Sequence, residues 1–124
     1  MNEGKIYIAA NTRWASTRID IDEILYIERR LRKIRVVTED RVIEYYDRMA
    51  FITPLLGENF YSVLRGFFVN LERIEEVKEG KVIFDCKIEV AIPVKVYPSL
   101  KRTHNAHYRT MQLDSLEAVK KSLP

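Results

Sequence analysis

The chain has 124 residues, 47% hydrophobic and 31% charged, with four glycines and four prolines, which suits one ordinary folded domain and excludes a disordered chain. The lone Cys86 excludes an internal disulfide and fits a reducing, cytoplasmic setting, and no stretch approaches the roughly 20 apolar residues of a membrane span or forms a signal-peptide core. Twenty-one Lys and Arg against eighteen Asp and Glu leave a charge of +3, a mild bias towards polyanions.

In chain order, "KIYIAA" (5–10) and "IDIDEILYIE" (19–28) alternate or run apolar over strand length. "RRLRKIR" then places five cations in residues 29 to 35. "KIRVVTEDRVIEYY" (33–46) reads as a hairpin turning at Glu39-Asp40. In "DRMAFITPLLGENF", Asp47 is a candidate cap, and Met49, Phe51, Ile52, Leu55 and Leu56 recur at helical spacing. Pro54 keeps that helix short and Gly57 stops it. Strands resume at "FYSVL", at "IEEVKEG" and "KVIFD" around a Glu79-Gly80 turn, and at "CKIEVAIPV". Asp114 and Glu117 mark the start of a helix over 115–122. No repeat, linker or low-complexity tract interrupts a single domain over 1–124.

Catalytic constellations are missing from this order. There is no phosphate-cradling GxGxxG or GxxxxGK[ST], and Ser62 has no companion that would make it a nucleophile. His104 and His107 share a helix face if that stretch is helical, but no Cys or carboxylate beside them completes a metal site, and a solvated pair is the simpler reading. The sequence therefore predicts a protein that is not an enzyme and has no catalytic residue, cofactor or metal. Cations are the informative feature. Arg29, Arg30, Arg32 and Lys33 fall on or beside the loop before the apolar strand of Ile34 and Val36, where they either meet phosphate or form a solvated face opposite the acidic clusters. Arg65 lies amid Phe60, Val63, Leu64, Phe67, Phe68 and Val69, and a cation there must find a partner or reach the surface. Lys95 also ends an apolar segment, so three parts of the chain offer cations where strands give way to loops.

"IDIDEILYIE", the basic strand, "FYSVLRGFFVNLERIEEV" and "IEVAIPVKVYPSLKR" together resemble the LytTR DNA-binding domain of bacterial transcription regulators, over roughly residues 5 to 102. Phe60, Val63, Arg65, Val69, Asn70, Leu71 and Ile74 are in register with the family's central signature. Where the family has Arg-Val-His-Arg-Ser, this chain has Ser62-Val63-Leu64-Arg65-Gly66, and near the end Lys95 and Val96 replace a serine and an arginine. The resemblance implies a mainly β fold, an elongated arrangement of small antiparallel sheets with one short helix after the first sheet and a C-terminal helical segment. It implies a transcription regulator, here without an attached receiver domain, whose loops enter the major groove of duplex DNA carrying paired direct repeats. The departures imply altered specificity or weaker binding. The implied DNA-binding residues are Arg29, Arg30, Arg32, Lys33, Arg65, Lys95, Lys101 and Arg102. Arg65 then points to DNA, the alternative being a pair with Glu72 or Glu75. Asn70 reads as structural, and Trp14 and the tyrosines as packing. The implied partners are DNA, a second copy on DNA, and a restraining membrane or signalling protein. The alternative function is a degenerate module working through protein contacts, with "LDSLEAVKKSLP" as a docking helix.

Overall fold

The computed structural model describes residues 5–122, and its first strand follows a period of two. In Tyr7–Asn11 (β1), Ile8 and Ala10 are buried while Tyr7, Ala9 and Asn11 face out, and Ser16–Asp20 (β2) returns antiparallel with Ile19 inward. Trp14, expected to pack, instead stands 84% exposed at the turn of this hairpin, beneath the Arg13 guanidinium at 4.9 Å. "IDIDEILYIE" is not one strand: a 3-10 turn at Ile21–Glu23 separates β2 from Ile24–Arg30 (β3). The β3 segment Ile24, Leu25, Tyr26, Ile27 is buried without alternation because β3 is a central strand, paired with Lys33–Thr38 (β4) on one side and Phe67–Asn70 (β7) on the other. With Val42–Tyr46 (β5) and Phe60–Leu64 (β6) the order is β5-β4-β3-β7-β6, a five-stranded antiparallel sheet.

Between β5 and β6 runs the helix Met49–Leu56 (α1), ended by Gly57. Its inward face is Ile52 and Leu56, whereas Phe51 points to solvent. Asp47 is not its cap; that position is Arg48, whose own N–H donates to Asp47 Oδ1 at 2.8 Å. Ile8, Ala10 and Ile19 of the β1–β2 hairpin, Ile52 and Leu56 of α1, and Ile24, Ile27, Ile34, Val36 and Tyr45 of the sheet form one core, to which each fully buried Ile or Val adds roughly 1.5–3 kcal/mol. Asn70 is structural, as expected: its Nδ2 donates to the Ile24 carbonyl at 2.9 Å and its Oδ1 accepts from Glu72 N–H at 3.1 Å.

A second compact unit begins at Ile74. Ile74–Lys78 (β8), Lys81–Phe84 (β9) and Glu89–Ala91 (β10) form a sheet in the order β10-β9-β8. Ile74, Val82, Phe84 and Ile92 are buried with Leu100 of the helix Tyr97–Ser122 (α2). The helix anticipated from Asp114 thus starts at Tyr97, where Pro98 occupies a first-turn position that needs no N–H. Only Leu100 and His104 of α2 are buried, and Arg109 to Ser122 are exposed throughout. His104 is not a solvated histidine. Its Nε2 lies 3.1 Å from the Ile74 carbonyl, which also accepts from the Tyr108 hydroxyl. Among the described residues, no helix is long and apolar enough to cross a membrane.

Candidate nucleic-acid interface

Antiparallel pairing brings two hairpin tips to the same end of the five-stranded sheet. The β3–β4 turn is Leu31-Arg32, and the β6–β7 turn is Arg65-Gly66. Because β3 pairs with β7 up to Glu28–Phe67, the next residues of each, Arg29 and Gly66, are neighbours: Arg29 N–H donates to the Gly66 carbonyl at 2.7 Å. Gly66 has φ of 78°, and a Cβ there would come within 3.2 Å of Arg29 Cβ, so the glycine allows both the turn and the close approach.

The tips and the start of α1 surround a groove of about 810 Å³. Arg29, Arg32 and Arg65 line it, together with Arg48, which the sequence reading did not single out. Among the described residues none of these four guanidiniums is in an ion pair. Elsewhere in this unit arginines do pair: Arg18 with Asp20 at 2.9 Å, Arg35 with Glu28 at 3.4 Å, Arg73 with Glu39 at 3.3 Å. Among the described residues the one carboxylate lining the groove is Asp47, which already accepts from Arg48 N–H. Exposed Leu31, Tyr46 and Phe51 complete the wall.

The basic run lies on and beside the β3–β4 turn. Arg29 and Arg30 end β3 and Lys33 opens β4, so only Arg32 belongs to the turn itself. Alternation along a strand then divides them: Arg29 faces the main groove, while Arg30 and Lys33 line an adjoining hollow of about 580 Å³. Arg30 Nε donates to Glu28 Oε1 at 3.0 Å and Lys33 Nζ stands 5.2 Å from the centre of the Tyr46 ring. Arg65 is exposed and has no ion pair with Glu72 among the described residues, and Glu75 is taken by Lys87 at 2.6 Å.

The other three candidate cations belong to the second unit. Lys95 is exposed on a 3-10 turn, Val94–Val96. Lys101, whose Nζ lies 5.7 Å from the Tyr97 ring centre, and Arg102 are exposed on the first turns of α2, lining a hollow with Glu75 and Glu76. In the same hollow, burial holds the His104 pKa below its ordinary value; the Ile74 hydrogen bond opposes that shift and His107 adds to it.

Small antiparallel sheets, with arginines that have no ion pair among the described residues collected where two hairpins turn, define a β domain with a cationic end. The chain belongs to the LytTr DNA-binding domain family, whose model matches residues 15–105. Among solved structures it is similar to the LytTr DNA-binding domain of a protein described as a methyl-accepting/DNA response regulator from Bacillus cereus, with a TM-score of 0.63 and 20% identity over 82% of this chain and 97% of that one. At that identity the likeness speaks for the fold. No curated protein matches the chain.

Proposed function

We propose that this domain is a sequence-specific transcription regulator that binds duplex DNA through the hairpin tips at the arginine-lined end of its five-stranded sheet. The observation that carries the reading is the groove in which Arg29, Arg32, Arg48 and Arg65 converge without ion pairs among the described residues. Unneutralised guanidiniums at close quarters repel one another, and a phosphate backbone supplies the missing countercharge. Arg65, with its planar fork at a turn, suits a bidentate contact with phosphate or with the O6 and N7 of guanine. Arg30 and Lys33 add backbone contacts from the adjoining hollow, and Lys95, Lys101 and Arg102 supply cations from the second unit. Two copies load on paired direct repeats in the bacterial cytoplasm, under the control of a separate signalling or membrane protein.

The test is a selection of bound duplexes from a random pool, followed by affinity measurements across salt. Enrichment of a repeated motif with steeply salt-dependent binding supports the reading; no motif and no salt dependence would defeat it. A second reading, a module working through protein contacts, is favoured by the exposed run Arg109 to Ser122 of α2, which covers all but Leu123 and Pro124 of the suspected docking stretch, those two lying outside the described residues. Capture of a partner by the full chain but not by a chain ending at Tyr108, with no DNA motif selected, would establish it.

A further inference from the structure

Leu31 is the residue of the arginine-lined end that the fold leaves unexplained. It is 95% exposed, and its φ of 58° places a branched side chain in the left-handed region, which two-residue hairpin turns ordinarily give to Gly, Asn or Asp. Packing does not call for a leucine here, and turn chemistry selects against one. Such a residue persists in a strained position when something outside the fold requires it. Its surroundings narrow what that is. Leu31 follows Arg29 and Arg30 and precedes Arg32 and Lys33, and of these only Arg30 has an ion pair among the described residues, so whatever meets the leucine must also accept cations. The tip lies beyond the last β3–β7 pair, Glu28–Phe67, and β5 reaches no further than Tyr46 opposite Lys33. What projects past the flanking strands is therefore the turn itself, Leu31 and Arg32, and a two-residue turn is narrow enough for the major groove to admit.

We infer that Leu31 is a base-reading residue, carried into the major groove by the β3–β4 tip so that its methyl groups meet the 5-methyl of a thymine. This rests on the DNA-binding reading above and adds the chemistry of one base contact. The thymine methyl is the apolar group that a base pair presents in the major groove. Against a cytosine or adenine amino group, the same leucine would desolvate a donor without replacing its hydrogen bond. The flanking cations supply affinity without sequence information, which leaves Leu31 to supply discrimination at one position.

The experiment uses the full chain and the duplex it selects from a random pool, with each thymine replaced in turn by deoxyuridine, which lacks only the methyl. At one thymine per half-site the replacement should weaken binding about fourfold, the equivalent of one buried methyl group. Leu31→Ala should abolish that difference, Leu31→Met should keep it, and both should leave the salt slope unchanged. If deoxyuridine costs nothing at any position, or costs the same in Leu31→Ala, the assignment of Leu31 is overturned while DNA binding stands. If the chain selects no duplex, the DNA-binding reading falls and takes this inference with it.

Discussion

Two hairpin tips in this molecule start from the same electrostatic problem and solve it differently. In β3–β4 the last cross-strand pair is Arg30–Lys33, and in β8–β9 it is Lys78–Lys81; like charges directly opposite one another destabilise a sheet. At the second tip the problem is neutralised locally, because Lys78 pairs with Glu76 at 3.7 Å and Lys81 with Glu89 at 2.7 Å, and the turn carries Gly80 with φ of 92°. At the first tip Glu28 serves Arg30, whereas Arg29 and Arg32 have no ion pair among the described residues, and a leucine occupies the left-handed turn position. The chain thus neutralises both lysines at the second tip, but at β3–β4 it neutralises Arg30 alone and leaves Arg29, Arg32 and Lys33 without an ion pair among the described residues. The difference points to a countercharge from outside the molecule.

The largest expected effect comes from removing that open charge. Replacing Arg29, Arg30, Arg32 and Lys33 together by Ala should weaken binding to every duplex and reduce the slope of log affinity against log salt by up to about 3.6, at about 0.9 for each phosphate that the variant no longer neutralises. The matched change, Lys78→Ala with Lys81→Ala, should leave both quantities as they were. Equal reductions from the two tips would show that the contrast is only one of general charge.

Arg65 comes next. Its exposure, and the lack of an ion pair to it among the described residues, predict that Arg65→Ala costs about 1–3 kcal/mol of binding and relaxes preference at one base position, with no fall in melting temperature. Arg65→Lys keeps the charge but loses the fork, so it should recover a phosphate contact and fail to recover a guanine contact. A variant that binds its selected site normally but melts several degrees lower would place Arg65 in an internal role instead.

The second unit offers a pH-dependent effect that guanidiniums cannot produce. His104 has its pKa lowered in the folded protein by burial, against the bond to Ile74 and with the aid of His107. Below the ordinary histidine value of about 6.5, the unfolded chain takes up the proton first. Stability is therefore full above that value and is lost as the pH falls through the lower folded pKa. Thermal melts from pH 7.5 down to 5.5 should show this decline. His104→Gln, which can still donate to the Ile74 carbonyl but does not titrate, should flatten it; an unchanged decline in that variant would assign the proton elsewhere.

How much of this was legible in the sequence depends on whether the cause is local. β1, β4, β5, β6 and β9 show in the text because alternation or an apolar run is a local record of facing a core. The 3-10 turn at Ile21–Glu23 left no such record, since no Gly or Pro punctuates "IDIDEILYIE". The first turns of α2 were hidden for a different reason. With only Leu100 and His104 buried, this helix has almost no apolar stripe to detect, and Pro98 in its first turn adds none. For the candidate site, the cations themselves were readable from their density and from the family signature. Their convergence was not, because Arg29 meets Gly66 through a β3–β7 pairing between segments far apart in the chain. Arg48 was missed on the same account: it stands alone in sequence beside Asp47, and only the seating of α1 next to two hairpin tips brings it to the groove.

The smallest expected effect tests the backbone side of the contrast, by exchanging the turn chemistry of the two tips. A left-handed conformation costs an ordinary side chain roughly 1–2 kcal/mol, while glycine pays instead about 0.5–1 kcal/mol in unfolded-chain entropy. Leu31→Gly should therefore leave the fold unchanged or stabilise it by up to about 1 kcal/mol, since 95% exposure means that almost no packing is lost. Gly80→Leu should destabilise by about 1 kcal/mol, because a Cβ added at this position would meet open space and the penalty is one of φ alone. Denaturant midpoints at constant slope measure both changes. If Leu31→Gly proves clearly destabilising, the leucine has a part in the fold, and its placement at the cationic tip no longer asks for a partner.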